Sequence, residues 1–383
     1  MSCNANRYVF GISGYQGSYC LWTEYKTKHI CSARNGGNME TFLMYFLFAL
    51  GVVFIIKGGD WFVDGAVWVA EITGIPKFII GATVISVATT LPEILVSTIA
   101  AVDGRKILAS RVGDFIAASQ DKVGMAIGNG IGSVICNTAM ILAVSIIFMP
   151  IKLRGRDFAP KAFWLLAALT VLFLFSLSGS FSLVGAFALL LIFALYILEN
   201  IRSARKSGAE EREEHTAPGE SNTVNNILQL VIGAAGIVIG SELLVNNGSA
   251  IAASLGVSEA LIGVTIVAVG TSLPELVTAA ASVIKKQSSM SVGNIIGANI
   301  IDTTLILAVC SFIYGGNLPV SAQNIYLDFP AAILVTLIAV VPTVIRKKFS
   351  RRQGVVMLAV YIIYLIIVIG KLDWYLSLFG AAV

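Results

Sequence analysis

The chain has 383 residues, of which 57% are hydrophobic and 13% charged, with a mean hydropathy of +0.86. Soluble domains carry about 25% charged residues, so this composition excludes an ordinary soluble enzyme or binding domain and points to a membrane protein with several spans. The net charge of +4 bears on membrane topology rather than on nucleic acid, and the five cysteines have no spacing that makes a disulfide framework.

Residues 1–38 are polar and contain no apolar run of signal-peptide length. Met39-Glu40 directly precedes the first long apolar run. The expectation is that Met39 is the functional start and that the leader is disordered or a mis-assigned extension. Ten membrane helices are expected, all-α, over roughly 41–72, 77–102, 123–149, 162–178, 181–200, 225–254, 259–284, 290–314, 328–345 and 354–373. They form two groups of five, 41–200 and 225–373. The groups are joined by 201–224, which carries Glu210, Glu211, Glu213, Glu214 and Pro218-Gly219 and reads as a mobile cytoplasmic linker.

An odd number of crossings per group gives the two groups opposite orientations. Loops after odd-numbered helices hold sixteen Lys and Arg residues. Loops after even-numbered helices hold four, Arg105, Lys106, Arg111 and Lys122. The basic side is cytoplasmic, which places both termini outside the cytoplasm.

The two groups repeat one motif. Gly81–Glu93 reads GATVISVATTLPE and Gly263–Glu275 reads GVTIVAVGTSLPE, 182 residues on. Each puts a carboxylate, Glu93 or Glu275, inside an apolar segment, where an acid is costly and functional by default. One such acid alone could pair with a lysine, and one proline alone could be a simple kink. Duplication in register argues against both and for a transporter built from inverted repeats.

Ser86, Thr89 and Glu93 share a helix face, as do Ala268, Thr271 and Glu275. Pro92 and Pro274 have no N–H, so the carbonyls of Ala88 and Gly270 lose their helical partner and are free for a cation. The next helix in each group reads GNGIGSVICN, ending at Asn137, and GNIIGANIID, ending at Asp302. Asn129, Ser133 and Asn137 share one face; Asn294, Ala298 and Asp302 share the other. The glycine pairs Gly128/Gly132 and Gly293/Gly297 permit close helix approach. The resulting donor set is all oxygen and hard, suited to Na⁺ or Ca²⁺ rather than Zn²⁺ or Cu⁺.

Polar positions elsewhere read as structural. Asp60 and Glu242 match at the same offset on the first and sixth helices and could be gating groups or simply solvated. Asp157 and Asp328 open their helices in RDFAP and LDFP and read as N-caps. Glu275 to Asp302 spans 27 residues but Glu93 to Asn137 spans 44. The extra stretch, within about 103–123, reads as an external loop, at most with a short helix.

These motifs resemble the cation/Ca²⁺ exchanger superfamily, specifically prokaryotic sodium/calcium exchangers. Gly270–Glu275 matches that family's GTSLPE in full, and the likeness extends over most of 41–373. The resemblance implies a central cation site from Glu93, Asn137, Glu275 and Asp302. It implies flanking Na⁺ sites from Thr89, Thr90 and Ser133 in one half and Thr271 and Ser272 in the other. It also implies alternating access, with the first and sixth helices moving against the rest. The chain departs from the pattern at Ala88, at Val134 and at Ala298, which stands where the family has a serine.

The expected function is Na⁺/Ca²⁺ antiport at the plasma membrane. The alternatives are a H⁺/Ca²⁺ exchanger, a K⁺-dependent Na⁺/Ca²⁺ exchanger and, further off, a cation channel. No enzyme motif, no cofactor, no nucleic acid and no obligate protein partner are expected. The partners are Na⁺ and Ca²⁺, with H⁺ or K⁺ under the alternatives, and the lipid bilayer.

Overall fold

The structure, a computed structural model, describes residues 38–111, 114–149, 155–211, 223–255, 270, 272–370 and 372–380. The described helices are α1 (Asn38–Thr73), α2 (Lys77–Thr89), α3 (Leu91–Ser110), α4 (Phe115–Phe148), α5 (Gly155–Ser176), α6 (Leu183–Glu211) and α7 (Thr223–Ser254). They continue with α8 (Leu273–Ile284), α9 (Ser288–Tyr314), α10 (Asn324–Arg346), α11 (Arg351–Gly370) and the short α12 (Leu372–Ser377). Two short strands, β1 (Ser180–Phe181) and β2 (Leu318–Pro319), pair antiparallel, with Ser180 opposite Pro319.

Among the described residues eight helices are long and apolar enough to cross a bilayer, and α2 with α3 makes a ninth that bends by 46°. The seventh expected helix, 259–284, is described only from Leu273, as α8. Large apolar side chains such as Phe42, Ile99, Phe163, Phe187 and Ile363 are exposed, as lipid-facing positions require.

The chain divides into two compact units. In the smaller, the described residues are 38–54, 239–255 and 270. Here α1 and α7 meet at Gly51, where a Cβ would lie 3.0 Å from the Gly240 carbonyl oxygen. The larger unit holds the remaining described residues. Within it α1 and α7 meet again, Gly58 against Gly233, leaving no room for a side chain on either.

The centre of the larger unit is α9. Of its most apolar stretch 83% is buried, against 17% for α11. Its glycines explain this placement. A Cβ on Gly293 would strike the Phe78 carbonyl, and one on Gly297 would come within 2.6 Å of the Ala82 carbonyl oxygen. So α9 lies backbone to backbone on α2. Beneath them Phe158 packs edge-on to Phe78 and Phe349, at 6.3 and 5.6 Å between ring centres.

Four expectations change. The 103–123 insertion is not a loop: it lengthens α3 and α4 past the ends expected for them. Ser119 donates to the Gly104 carbonyl at 2.7 Å, holding the two extensions together. Arg105 donates to the Ile313 carbonyl at 2.8 Å, capping the negative C-terminal end of α9. The linker is shorter than expected, because α6 runs on to Glu211. Lys161, counted among the sixteen basic residues of the odd-numbered loops, is instead fully buried in α5, its ammonium 5.7 Å from the centre of the Phe78 ring.

Asp328 is not an N-cap. Ser321 and Asn324 close the start of α10, with Asn324 N–H on Ser321 Oγ at 3.2 Å. Asp328 sits a turn further in, buried, accepting from Asn324 Nδ2 at 2.8 Å and Tyr364 OH at 3.0 Å. Asp157 falls within α5, but its side chain lies outside the described residues.

Candidate cation site

The site forms at the starts of two helices, α3 and α8. Thr90, with φ −83° and ψ −2°, separates α2 from α3; Ser272, with φ −90° and ψ 8°, immediately precedes α8. Both occupy the sparsely allowed bridge region. Proline explains the position of each start. Pro92 and Pro274 take the second position of α3 and α8, where a missing N–H costs nothing because that donor has no helical partner. The following residues, Glu93 and Glu275, therefore fall in the first turn of a new helix. There the positive end of the helix dipole favours a carboxylate.

Asn137 and Asp302 are placed by a second shared device. Each opens a π-helical turn, Asn137–Leu142 in α4 and Asp302–Ile306 in α9. Such turns insert an extra residue into a helix and are frequent at functional sites.

Glu93, Glu275, Asp302 and Asn137 are each only 1% exposed, and Thr89, Thr90, Ser133 and Ser272 are buried with them. The carboxylates are near enough to repel one another: Glu275 and Asp302 act on Glu93, and Glu275 acts on Asp302. The hydroxyls of Thr89 and Thr90 lie beside Glu275. Ser272 lies beside the Cys136 thiol, one residue before Asn137.

Hydrogen-bond accounting then isolates the site. Among the described residues none of the six carboxylate oxygens of Glu93, Glu275 and Asp302 has a partner. The same holds for Asn137 Oδ1, Ser133 Oγ and Ser272 Oγ. Native structures satisfy most buried polar atoms. An uncompensated buried charge costs several kcal/mol. Asp328 shows the contrast, its carboxylate fully engaged by neutral donors. A cluster of unmatched acceptors fits cations as the absent partners. Among the described residues no three acidic, His or Cys side chains converge tightly enough to enclose one metal ion alone. The amide, hydroxyl and carbonyl oxygens are needed to complete any coordination shell.

The remaining expected residues are distributed differently. Ser86 Oγ donates to the Thr83 carbonyl at 3.1 Å and packs against Gly297, so it serves the α2–α9 contact. The Ser86 carbonyl accepts from Thr90 Oγ1 at 2.6 Å. Ala88 and Thr89 line a shallow crevice, too narrow for a water molecule, with Phe62, Ala234, Ile237, Val238 and Pro274, and Thr89 is the polar side chain in its wall. Gly270 is buried in the smaller unit against Val245. Ala268 and Thr271 lie outside the described residues. Ala298 is fully buried and brings no hydroxyl.

Two features were not assigned to the site from the sequence. The π-helical turns leave no pattern in composition. Thr278 and Asn294, which hydrogen-bond next to the site, were within reach: Asn294 belongs to the GNIIG motif, and Thr278 follows Glu275 by one helical turn.

Residues 43–201 and 225–370 match the family described as sodium/calcium exchanger protein. An uncharacterized membrane protein of Methanocaldococcus jannaschii is 35% identical over 82% of this chain and 95% of its own length. The sodium/calcium exchanger MaX1 of Methanosarcina acetivorans is 26% identical, covering 84% of this chain and 97% of its own. Among solved structures, the sodium-calcium exchanger NCX_Mj superposes with a TM-score of 0.68 at 31% identity, over 84% of this chain and 97% of that one. With both repeats inside the matched segments, the chain belongs to the sodium/calcium exchanger protein family.

Proposed function

We propose that the protein is a secondary antiporter that exchanges Na⁺ for Ca²⁺ at a site shared by the two ions. The observation that carries this reading is the set of unpartnered buried oxygens on Glu93, Glu275, Asp302 and Asn137. Ca²⁺ takes six to eight oxygen ligands and favours carboxylates. Three clustered acids supply both the charge and the multidentate oxygens. Several Na⁺ ions would neutralise the same group using the hydroxyls of Thr89, Thr90, Ser133, Thr271 and Ser272. The two loads then compete, because either satisfies the carboxylates and neither can be absent without leaving bare charge in the membrane. That competition is the basis of exchange.

Inverted repeats would let one half close as the other opens, with α1 and α7 moving against the remaining helices. Na⁺ moving inward down its gradient drives Ca²⁺ outward. Where more than two Na⁺ move per Ca²⁺, each net charge adds about 2.3 kcal/mol per 100 mV. The family and its helical relatives are transporters, and we read no catalysis and no cofactor in this chain; the ions are cargo. The basic loops orient both termini away from the cytoplasm, in a plasma membrane, with no obligate protein partner.

The test is uptake of radiolabelled Ca²⁺ into proteoliposomes under an imposed Na⁺, H⁺ or K⁺ gradient. Na⁺ alone should drive it. Uptake driven by a pH gradient and indifferent to Na⁺ would replace this reading with H⁺/Ca²⁺ exchange, and a requirement for K⁺ would make it a K⁺-dependent exchanger.

A further inference from the structure

Cation-binding hydroxyls face a proton problem. A threonine hydroxyl has one proton and two lone pairs. To present a lone pair to Na⁺ it must send its proton elsewhere, to an acceptor fixed in place. For Thr90 that acceptor is the Ser86 carbonyl, at 2.6 Å. For Thr89, once a cation holds the neighbouring Glu275 carboxylate, the acceptors left are the same carbonyl at 3.4 Å and Asn294 Oδ1 on α9 at 3.3 Å.

Asn294 is 1% exposed, and its orientation follows from counting protons. Its Nδ2 donates to Thr278 Oγ1 at 2.9 Å. The Thr278 proton is already committed to the carbonyls of Pro274 and Glu275, at 2.9 and 3.0 Å. Thr278 therefore accepts from Asn294, and the amide must turn its NH₂ toward α8 and its oxygen toward Thr89. A flipped amide would aim an oxygen at an oxygen with no proton to share. The direction of the chain is set at the Glu275-bearing turn and ends at Thr89.

We propose that Asn294 is a positioning residue for Na⁺: it takes the Thr89 proton, so that the Thr89 lone pairs face the ion. It touches no ion itself, and it joins α2 to α8 through α9. Its counterpart in the other repeat, Asn129, donates to Ser97 Oγ at 2.9 Å and the Glu93 carbonyl at 3.4 Å, both on α3. The inference rests on the reading of Thr89 as a Na⁺ ligand.

The test uses the full-length protein in proteoliposomes, measuring Na⁺-driven Ca²⁺ uptake against Na⁺ concentration and, separately, Ca²⁺/Ca²⁺ self-exchange without Na⁺. Asn294→Ala should raise the half-saturating Na⁺ roughly fivefold to tenfold, the scale of one lost hydrogen bond. Ca²⁺ self-exchange should stay within about twofold, because the carboxylates are untouched. Thr89→Ala should give a similar Na⁺ shift, and the double variant should be no worse than Thr89→Ala alone, since coupled residues do not add. Thr278→Val, which keeps the side chain's shape and frees the amide to turn, should move Na⁺ in the same direction by roughly twofold to threefold. It decides the matter alone should Asn294→Ala not fold. Unchanged Na⁺ dependence, additive losses in the double variant, or equal loss of Ca²⁺ self-exchange would each overturn the inference. A parent protein whose Ca²⁺ flux ignores Na⁺ would instead overturn the transport reading beneath it.

Discussion

The α2–α9 pair and the α4 helix carry the same glycine spacing, and the contacts described for them differ. On α9, Gly293 and Gly297 press against the backbone of α2 so closely that no Cβ fits. On α4, nothing among the described residues comes within 4 Å of a Cβ placed at Gly128 or Gly132. The asparagines diverge in the same way. Asn294 bridges α2 and α8, and among the described residues Asn129 bonds to α3. Where the α2–α9 contact is described, the two glycines and Asn294 lock the ligand-bearing helices together.

The largest effect should come from the ligands the two halves share. Glu93→Gln and Glu275→Gln should each reduce Ca²⁺ flux at least a hundredfold while the protein still reaches the membrane. Each removes a buried charge that Ca²⁺ needs. Near-normal flux in either variant would show that the two halves do not build one site. Asp302→Asn makes the second half copy the amide of the first and leaves two carboxylates. It should weaken Ca²⁺ about tenfold or more, or about 1.4 kcal/mol, measured as the half-saturating concentration for uptake.

The clamping itself is tested by stability. Gly293→Ala should cost about 2 kcal/mol through overpacking against Phe78, read as a lower midpoint of thermal unfolding in detergent. Gly130→Ala on α4 meets the Asp302 carbonyl oxygen at 3.2 Å and the Leu307 side chain at 3.6 Å, and should cost under about 1 kcal/mol. Equal losses would erase the contrast between the two glycine contacts. Smallest of all, Arg105→Ala should cost about 0.3–1 kcal/mol, the usual scale for a cation at a helix C-terminus. A hydrogen-exchange measurement on the end of α9 would detect the loosening.

Much of this was legible in the sequence because the physics is local. Apolar length marks spans, proline marks the helix starts, and a carboxylate in hydrocarbon is conspicuous. Glu93 and Glu275 follow from those rules alone. What stayed hidden depends on partners distant in the chain. The π-helical turns at Asn137 and Asp302 arise from packing and leave no sequence period. The 103–123 stretch looked like a loop because its charges hid two helix extensions, held by Ser119 on Gly104 and Arg105 on Ile313. Asp328 has the context of a cap, yet Ser321 and Asn324 start that helix and the carboxylate bonds to Tyr364, 36 residues on. Thr271 and Ala268, expected in the second half, lie outside the described residues.

The central claim is that Ca²⁺ and Na⁺ compete for the unpartnered oxygens of Glu93, Glu275 and Asp302. Equilibrium binding of radiolabelled Ca²⁺ to the purified protein, titrated with Na⁺, tests it without a membrane gradient. The account predicts saturable Ca²⁺ binding that Na⁺ displaces cooperatively, with a Hill coefficient above about one, and that disappears in Glu275→Gln. Ca²⁺ binding that persists in Glu275→Gln, or that Na⁺ fails to displace, would contradict it.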